Sequence, residues 1–246
     1  MISEKTAEKH YLPNGRKTKN SLSLQFERHY YKKLMNNVAR LLAEKLLKIS
    51  ALKLQPANPF IWASGWNSPI YTDNRRTLSY PDVRTFIKLE LARIVMECYP
   101  EADAVAGVAT GAIAQGALVA DELNLPYVYV RSTPKDHGLE NLIEGDLRPG
   151  QKVVVIEDLV STGKSSLKAV EAIRAAGCEV VGMLALFTYG FPVAEENFAQ
   201  AGVKLITLSN YNAMLEVALE TKYITEEDLE TLHRWRTDPA NWVSER

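Results

Sequence analysis

The chain has 246 residues, 46% of them hydrophobic, and a formal net charge of −1; this suffices for one sizeable core with appendages and gives no global field that would gather nucleic acid. Its two cysteines, Cys98 and Cys178, offer neither a disulfide framework nor zinc-ligand spacing, which fits a reduced, cytoplasmic protein. No apolar run reaches the length of a membrane span, and the N-terminus lacks a signal-peptide apolar core.

Residues 1–34 carry eight Lys/Arg against three Glu and show no period. They read as a basic polar extension, disordered, ahead of one domain over 35–246. A tail that contacts nucleic acid is the functional alternative, but such charge runs are usually just solvated. From Met35, the positions Val38, Leu41, Leu42, Leu46 and Ile49 predict an amphipathic helix. Residues 52–64 and 69–73 read as strands around an Asn-Pro turn. Ser79, with Pro81 after it, opens a helix to about Cys98. Strand and helix then alternate: strand 104–108, helix 112–123, strands 127–130 and 153–156, a helix after Ser165 stopped at Ala176-Gly177, strand 180–187, helix 192–201, strand 203–208. Thr225 and Asp228 form a capping-box-like start to a last helix reaching about Trp235. This alternation predicts an α/β fold with a mainly parallel sheet covered by helices, whose ligands sit beyond the C-terminal strand ends.

The most informative run is Val153–Ser166, VVVIEDLVSTGKSS. An apolar strand ends in the adjacent acids Glu157 and Asp158. A small, hydroxyl-rich loop follows, Ser161-Thr162-Gly163-Lys164-Ser165, and then a helix. Ionised carboxylates only accept hydrogen bonds, so they suit sugar hydroxyls rather than phosphate. The backbone N–H groups at a helix start suit phosphate. A diol site beside a phosphate site describes a ribose 5-phosphate. Gly163-Lys164-Ser165 also imitates the end of a P-loop. A P-loop's first glycine would fall at position 158, where Asp158 would set its charge against nucleotide phosphates. An ordinary strand–helix unit with acids at its strand end is the bland reading. It leaves the paired acids and the hydroxyl loop unexplained.

Two further stretches accompany this run: 63–73, ASGWNSPIYTD, and 130–138, VRSTPKDHG. The three together resemble the type I phosphoribosyltransferases, and among them the orotate-specific family, over about residues 35–210. The resemblance implies a type I phosphoribosyltransferase fold: a central, mainly parallel sheet flanked by helices, a small N-terminal hood and a long catalytic lid loop. It implies transfer of ribose 5-phosphate from 5-phosphoribosyl 1-diphosphate to orotate, with Mg2+ carried by the substrate rather than by certain protein ligands. Glu157 and Asp158 would bind the ribose hydroxyls, and the loop from Leu159 and Val160 through Ser161, Thr162, Gly163, Lys164 and Ser165 would cradle the 5′-phosphate. Ala109, Thr110 and Gly111 would meet the diphosphate; a tight turn needing glycine is the bland alternative. Arg131, Lys135 and His137, in an aperiodic segment 131–147, would act on the leaving diphosphate, with Asp158 also catalytic. Ser161 and Tyr71 would touch orotate. The segment holding Lys135 would close over the partner's site, which implies a homodimer with shared active sites. Nucleic acid and membrane are not expected partners. A related enzyme for another base, or a non-catalytic regulator that binds the same donor, are the alternatives. A regulator would need a DNA-binding domain in front, and 34 polar residues are too few. The chain departs from the family pattern at Ala63, Ser132 and Tyr189, where many members carry lysine, lysine and arginine. The arginine missing at Tyr189 is the one that holds the orotate carboxylate.

Overall fold

A computed structural model describes residues 21–62, 65–133 and 142–243. Internal contacts divide the chain into Met1–Asn37 and Val38–Arg246. In the first unit the described residues are helical. Helix α1 spans Ser21–Lys48 and so starts well before Met35. The expected disorder therefore fails for residues 21–34; residues 1–20 lie outside the described residues. The physical reason is local. The segment 21–34 contains neither glycine nor proline, and its Leu, Gln, Glu, Arg and Lys are good helix formers. Extending a formed helix adds one hydrogen bond per residue fixed. None of residues 29–37 is buried, and burial begins at Val38.

In the second unit the chain first makes short strands: β1 (Leu52–Leu54), β2 (Phe60–Ile61), β3 (Asn67–Ser68) and β4 (Ile70–Thr72). Strands β1 and β4 pair antiparallel, as do β2 and β3. This replaces the two longer strands expected from sequence. A 3-10 turn at Asn74–Ser79 leads into α2 (Pro81–Cys98), with proline at its first position. Then follow β5 (Ala104–Val108), α3 (Ile113–Leu123), β6 (Tyr127–Val130), β7 (Ile143–Glu144), β8 (Lys152–Val160), α4 (Lys164–Ala175) and β9 (Glu179–Thr188). The chain continues through α5 (Pro192–Gln200), β10 (Leu205–Asn210), α6 (Tyr211–Glu220) and α7 (Glu226–Thr237). Helix α6 has no counterpart in the sequence reading. Its start is capped by Asn210, whose side chain accepts from the Ala213 N–H.

The main sheet has the order β10-β9-β8-β5-β6-β7, parallel except for β7, which runs against β6. Strand β8 is central, and Val153, Val154, Val155 and Ile156 are all fully buried. A strand covered on both faces reads as an unbroken apolar run, which is why this segment was legible. Val153 and Val155 share a core with Ala169, Val170 and Ile173 of α4. Trp235 of α7 is also fully buried, and its indole N–H donates to the Asn67 carbonyl at 3.2 Å. That bond ties the last helix to the β2–β3 hairpin.

Candidate active site

Strand β8 outruns its neighbour β5. Pairing with β5 stops at Ile156, opposite Gly107, whereas pairing with β9 continues through Val160. Glu157 and Asp158 therefore lie inside the strand, not beyond its end as the sequence suggested. They occupy the stretch that β5 leaves uncovered. Glu157 is only 4% exposed. Its carboxylate accepts from the Ser166 hydroxyl at 2.8 Å and from the Asp158 N–H at 2.9 Å. Burial, and then the neighbouring Asp158, push its pKa up to about 8. Burial also raises Asp158. Both shifts work against two charged carboxylates side by side in the free site.

Two elements fix Asp158. The Asn74 side-chain amide donates to its backbone carbonyl at 2.6 Å. Asn74 is itself held through Thr77, whose hydroxyl donates to the Asn74 carbonyl at 2.6 Å. Gln115 of α3 donates to that same Thr77 hydroxyl at 3.0 Å. The Asp158 carboxylate lies so close over Gly111 that any side chain there would strike it. Glycine at 111 is therefore required by the approach of the acid, beyond the needs of a turn. The Ala109, Thr110 and Gly111 loop is in this way joined to the acid pair. Arg131 follows β6 directly, beside this loop: the Ala109 N–H donates to the Val130 carbonyl at 2.8 Å. Arg131 faces Glu144 at 3.5 Å.

Beyond β8, the residues Ser161, Thr162 and Gly163 turn into α4. Gly163 takes φ +78°, and an added Cβ would meet Phe198 at 2.8 Å. No side chain caps the helix start, so its first N–H groups are available to an anion. Asn197 of α5 steadies the turn by donating to the Thr162 carbonyl at 2.9 Å. Lys164 and Ser165 are exposed, while Ser166 is buried against Glu157.

A cavity of about 480 Å³ opens beside this turn. Ser161 and Thr162 border it, as do Tyr71, Thr72 and Tyr189. Tyr71 is 38% exposed, its ring 5.4 Å from that of Phe60. The sequence reading placed Tyr71 and Ser161 at one ligand, and the structure brings them to one cavity. It missed Trp62 and Trp66, whose rings stack at 6.4 Å on the same wall, and it gave Thr72 and Asn74 no role. The available signal was weak: two tryptophans four residues apart, in a run without helix or strand period. Lys135 and His137 lie outside the described residues, as does Ala63. An acid pair with one member buried and one half-buried, an uncapped helix start and an aromatic cavity are the parts needed to hold a sugar phosphate and a flat ring.

Residues 87–219 match the phosphoribosyl transferase domain family. The orotate phosphoribosyltransferase of Bacteroides thetaiotaomicron is 71% identical over 208 residues, which are 85% of this chain and 98% of that protein. Its counterpart from Porphyromonas gingivalis is 63% identical, again over 85% of this chain, and 99% of that one. Among solved structures, orotate phosphoribosyltransferase from Aeropyrum pernix superposes with a TM-score of 0.66 at 32% identity, covering 75% of this chain and 99% of that chain.

Proposed function

The chain belongs to the phosphoribosyltransferase family, in its orotate-specific branch, and from that premise we propose how its site divides the work. It is a pentosyltransferase of pyrimidine nucleotide synthesis. It transfers ribose 5-phosphate from 5-phosphoribosyl 1-diphosphate to orotate, giving orotidine 5′-monophosphate and diphosphate. The observation that carries this is the adjacent acids Glu157, buried, and Asp158, half-buried, on the strand that runs on into the cavity-lining residues Ser161 and Thr162 and the helix start at Gly163.

In this reading Glu157 and Asp158 accept from the ribose hydroxyls and favour positive charge growing on the sugar ring. The turn from Ser161 to Ser165 holds the 5′-phosphate through its N–H groups. Tyr71 and Ser161 contact the base. Ala109–Gly111 and Arg131 meet the diphosphate, together with Lys135 and His137. As the C1–diphosphate bond breaks, N1 of orotate attacks from the opposite side and the configuration inverts. The protein's main contribution is positioning both substrates and stabilising charge on the leaving group.

Among the described residues, no three His, Cys, Asp or Glu side chains form a metal cluster. The acid pair supplies hard oxygen donors beside the sugar, which suits Mg2+ held largely by substrate oxygens and water. When bound, Mg2+ neutralises charge on the diphosphate. The working unit in this reading is a homodimer in which Lys135 and His137 of one copy serve the reaction of the other. Among the described residues no helix is long and apolar enough to cross a membrane. Neither Cys98 nor Cys178 forms a disulfide, which fits a cytoplasmic enzyme.

The test is a base panel. Purified protein with donor and Mg2+ releases diphosphate with orotate, and not with uracil, hypoxanthine or adenine. Turnover of one of those bases in place of orotate would overturn the assignment.

A further inference from the structure

Orotate carries a carboxylate, yet among the described residues lining the aromatic cavity there is no Lys, Arg or His. Tyr189 stands where many relatives would place an arginine. An anion in such a pocket has to be held by neutral donors. Among the described residues lining the cavity, Thr72 is a donor prepared for this. The Tyr189 hydroxyl donates to the Thr72 Oγ1 at 2.8 Å. A threonine hydroxyl has one proton to give and two lone pairs. Thr72 therefore accepts from Tyr189 and keeps its own O–H, for which the described residues show no acceptor. A hydroxyl that accepts a hydrogen bond is polarised into a stronger donor.

Tyr189 is built to hold this arrangement. It is 2% exposed, and its ring is walled by Trp62, Phe191 and Trp235 at centroid distances of 5.2, 5.5 and 5.9 Å. Burial pushes its phenol well above the ordinary range, so it remains a donor at any working pH. We propose that Thr72 is the residue that recognises the carboxylate of the base, and that Tyr189 is a positioning residue that turns the Thr72 proton into the cavity. This rests on the assignment of orotate as the base. It replaces a salt bridge by a neutral hydroxyl pair, whose hydrogen bond to a charged group is stronger than one between neutral partners.

Thr72→Val keeps the shape and removes the hydroxyl. It is expected to raise KM for orotate about tenfold to hundredfold, the usual effect of losing a hydrogen bond to a charged group, and to leave KM for the donor within about twofold. Tyr189→Phe raises the orotate KM less, by about threefold to tenfold, because the Thr72 hydroxyl survives but loses its orientation. Thr72→Ser restores the orotate KM to within about threefold of wild type. The two KM values come from one preparation and do not depend on the fraction of active protein, so partial misfolding does not imitate the effect. If Thr72→Val yields no folded protein, the Tyr189→Phe and Thr72→Ser pair decides the matter alone. An unchanged orotate KM in Thr72→Val or in Tyr189→Phe, a Thr72→Ser orotate KM raised more than about tenfold, or equal rises for both substrates, would overturn the proposal. Wild-type protein that fails to use orotate would instead overturn the assignment beneath it.

Discussion

Glu157 shows how much a single side chain owes to its surroundings. In the unfolded chain it loses its proton near 4.5, and in the fold it keeps it to about 8. Between those values the folded state binds more protons than the unfolded one, so stability falls as pH rises through that window. Glu157→Gln removes this group's contribution. Melting curves from pH 5 to pH 8 should therefore fall less steeply for the variant, the two proteins diverging by several degrees at pH 8, with the variant higher. Parallel curves would mean that Glu157 is already ionised in the free protein. The same reasoning connects to function, since ribose hydroxyls and a cation both favour the charged form of the pair.

Helix α1 illustrates the limits of reading an element from its pattern. Its apolar face begins at Val38, and before that its residues carry no buried side chain among 29–37, with Tyr30 63% exposed. Over residues 29–37 it is helix propensity rather than burial that favours the helix. Removing residues 1–34 should then leave kcat/KM within about twofold and the melting temperature within about 5 °C, because exposed helix turns contribute little against the entropy of ordering them. A larger fall in melting temperature would show that this segment packs. A tenfold loss of kcat/KM with normal melting would place it in the site or in the dimer. Strand β8 is the opposite case. Its length beyond β5 is set by pairing with β9, and that overhang leaves the segment holding both acids without a partner from β5.

At the scale of the whole molecule, the proposed dimer makes a complementation prediction. Lys135→Ala and Asp158→Asn homodimers should each be impaired at both sites. In a heterodimer with crossed segments, one site collects both lesions and the other is intact. Equal mixing gives half heterodimers, so about a quarter of wild-type activity should return once subunits exchange. No recovery after verified exchange would mean that each Lys135 serves its own subunit.

The sequence alone determined the α/β alternation, because strands buried on both faces and amphipathic helices leave local periods. It also determined the acid pair and hydroxyl turn at 157–165, because those residues are adjacent in the chain and so is their chemistry. The same locality explains what it missed. Helix α6, YNAMLEVALE, does carry a helical stripe, with Asn212, Glu216 and Glu220 exposed at four-residue spacing, but at ten residues directly after a strand it is too short a pattern to single out. The cavity needs Thr72 against Tyr189, 117 residues apart, and Trp235 against Asn67, 168 residues apart. The raised pKa of Glu157 depends on the depth of burial, which no spacing encodes. Only the tertiary structure decided these points, since desolvation and hydrogen bonding act between groups brought together in space, whereas periodicity records only which side of each element faces inward.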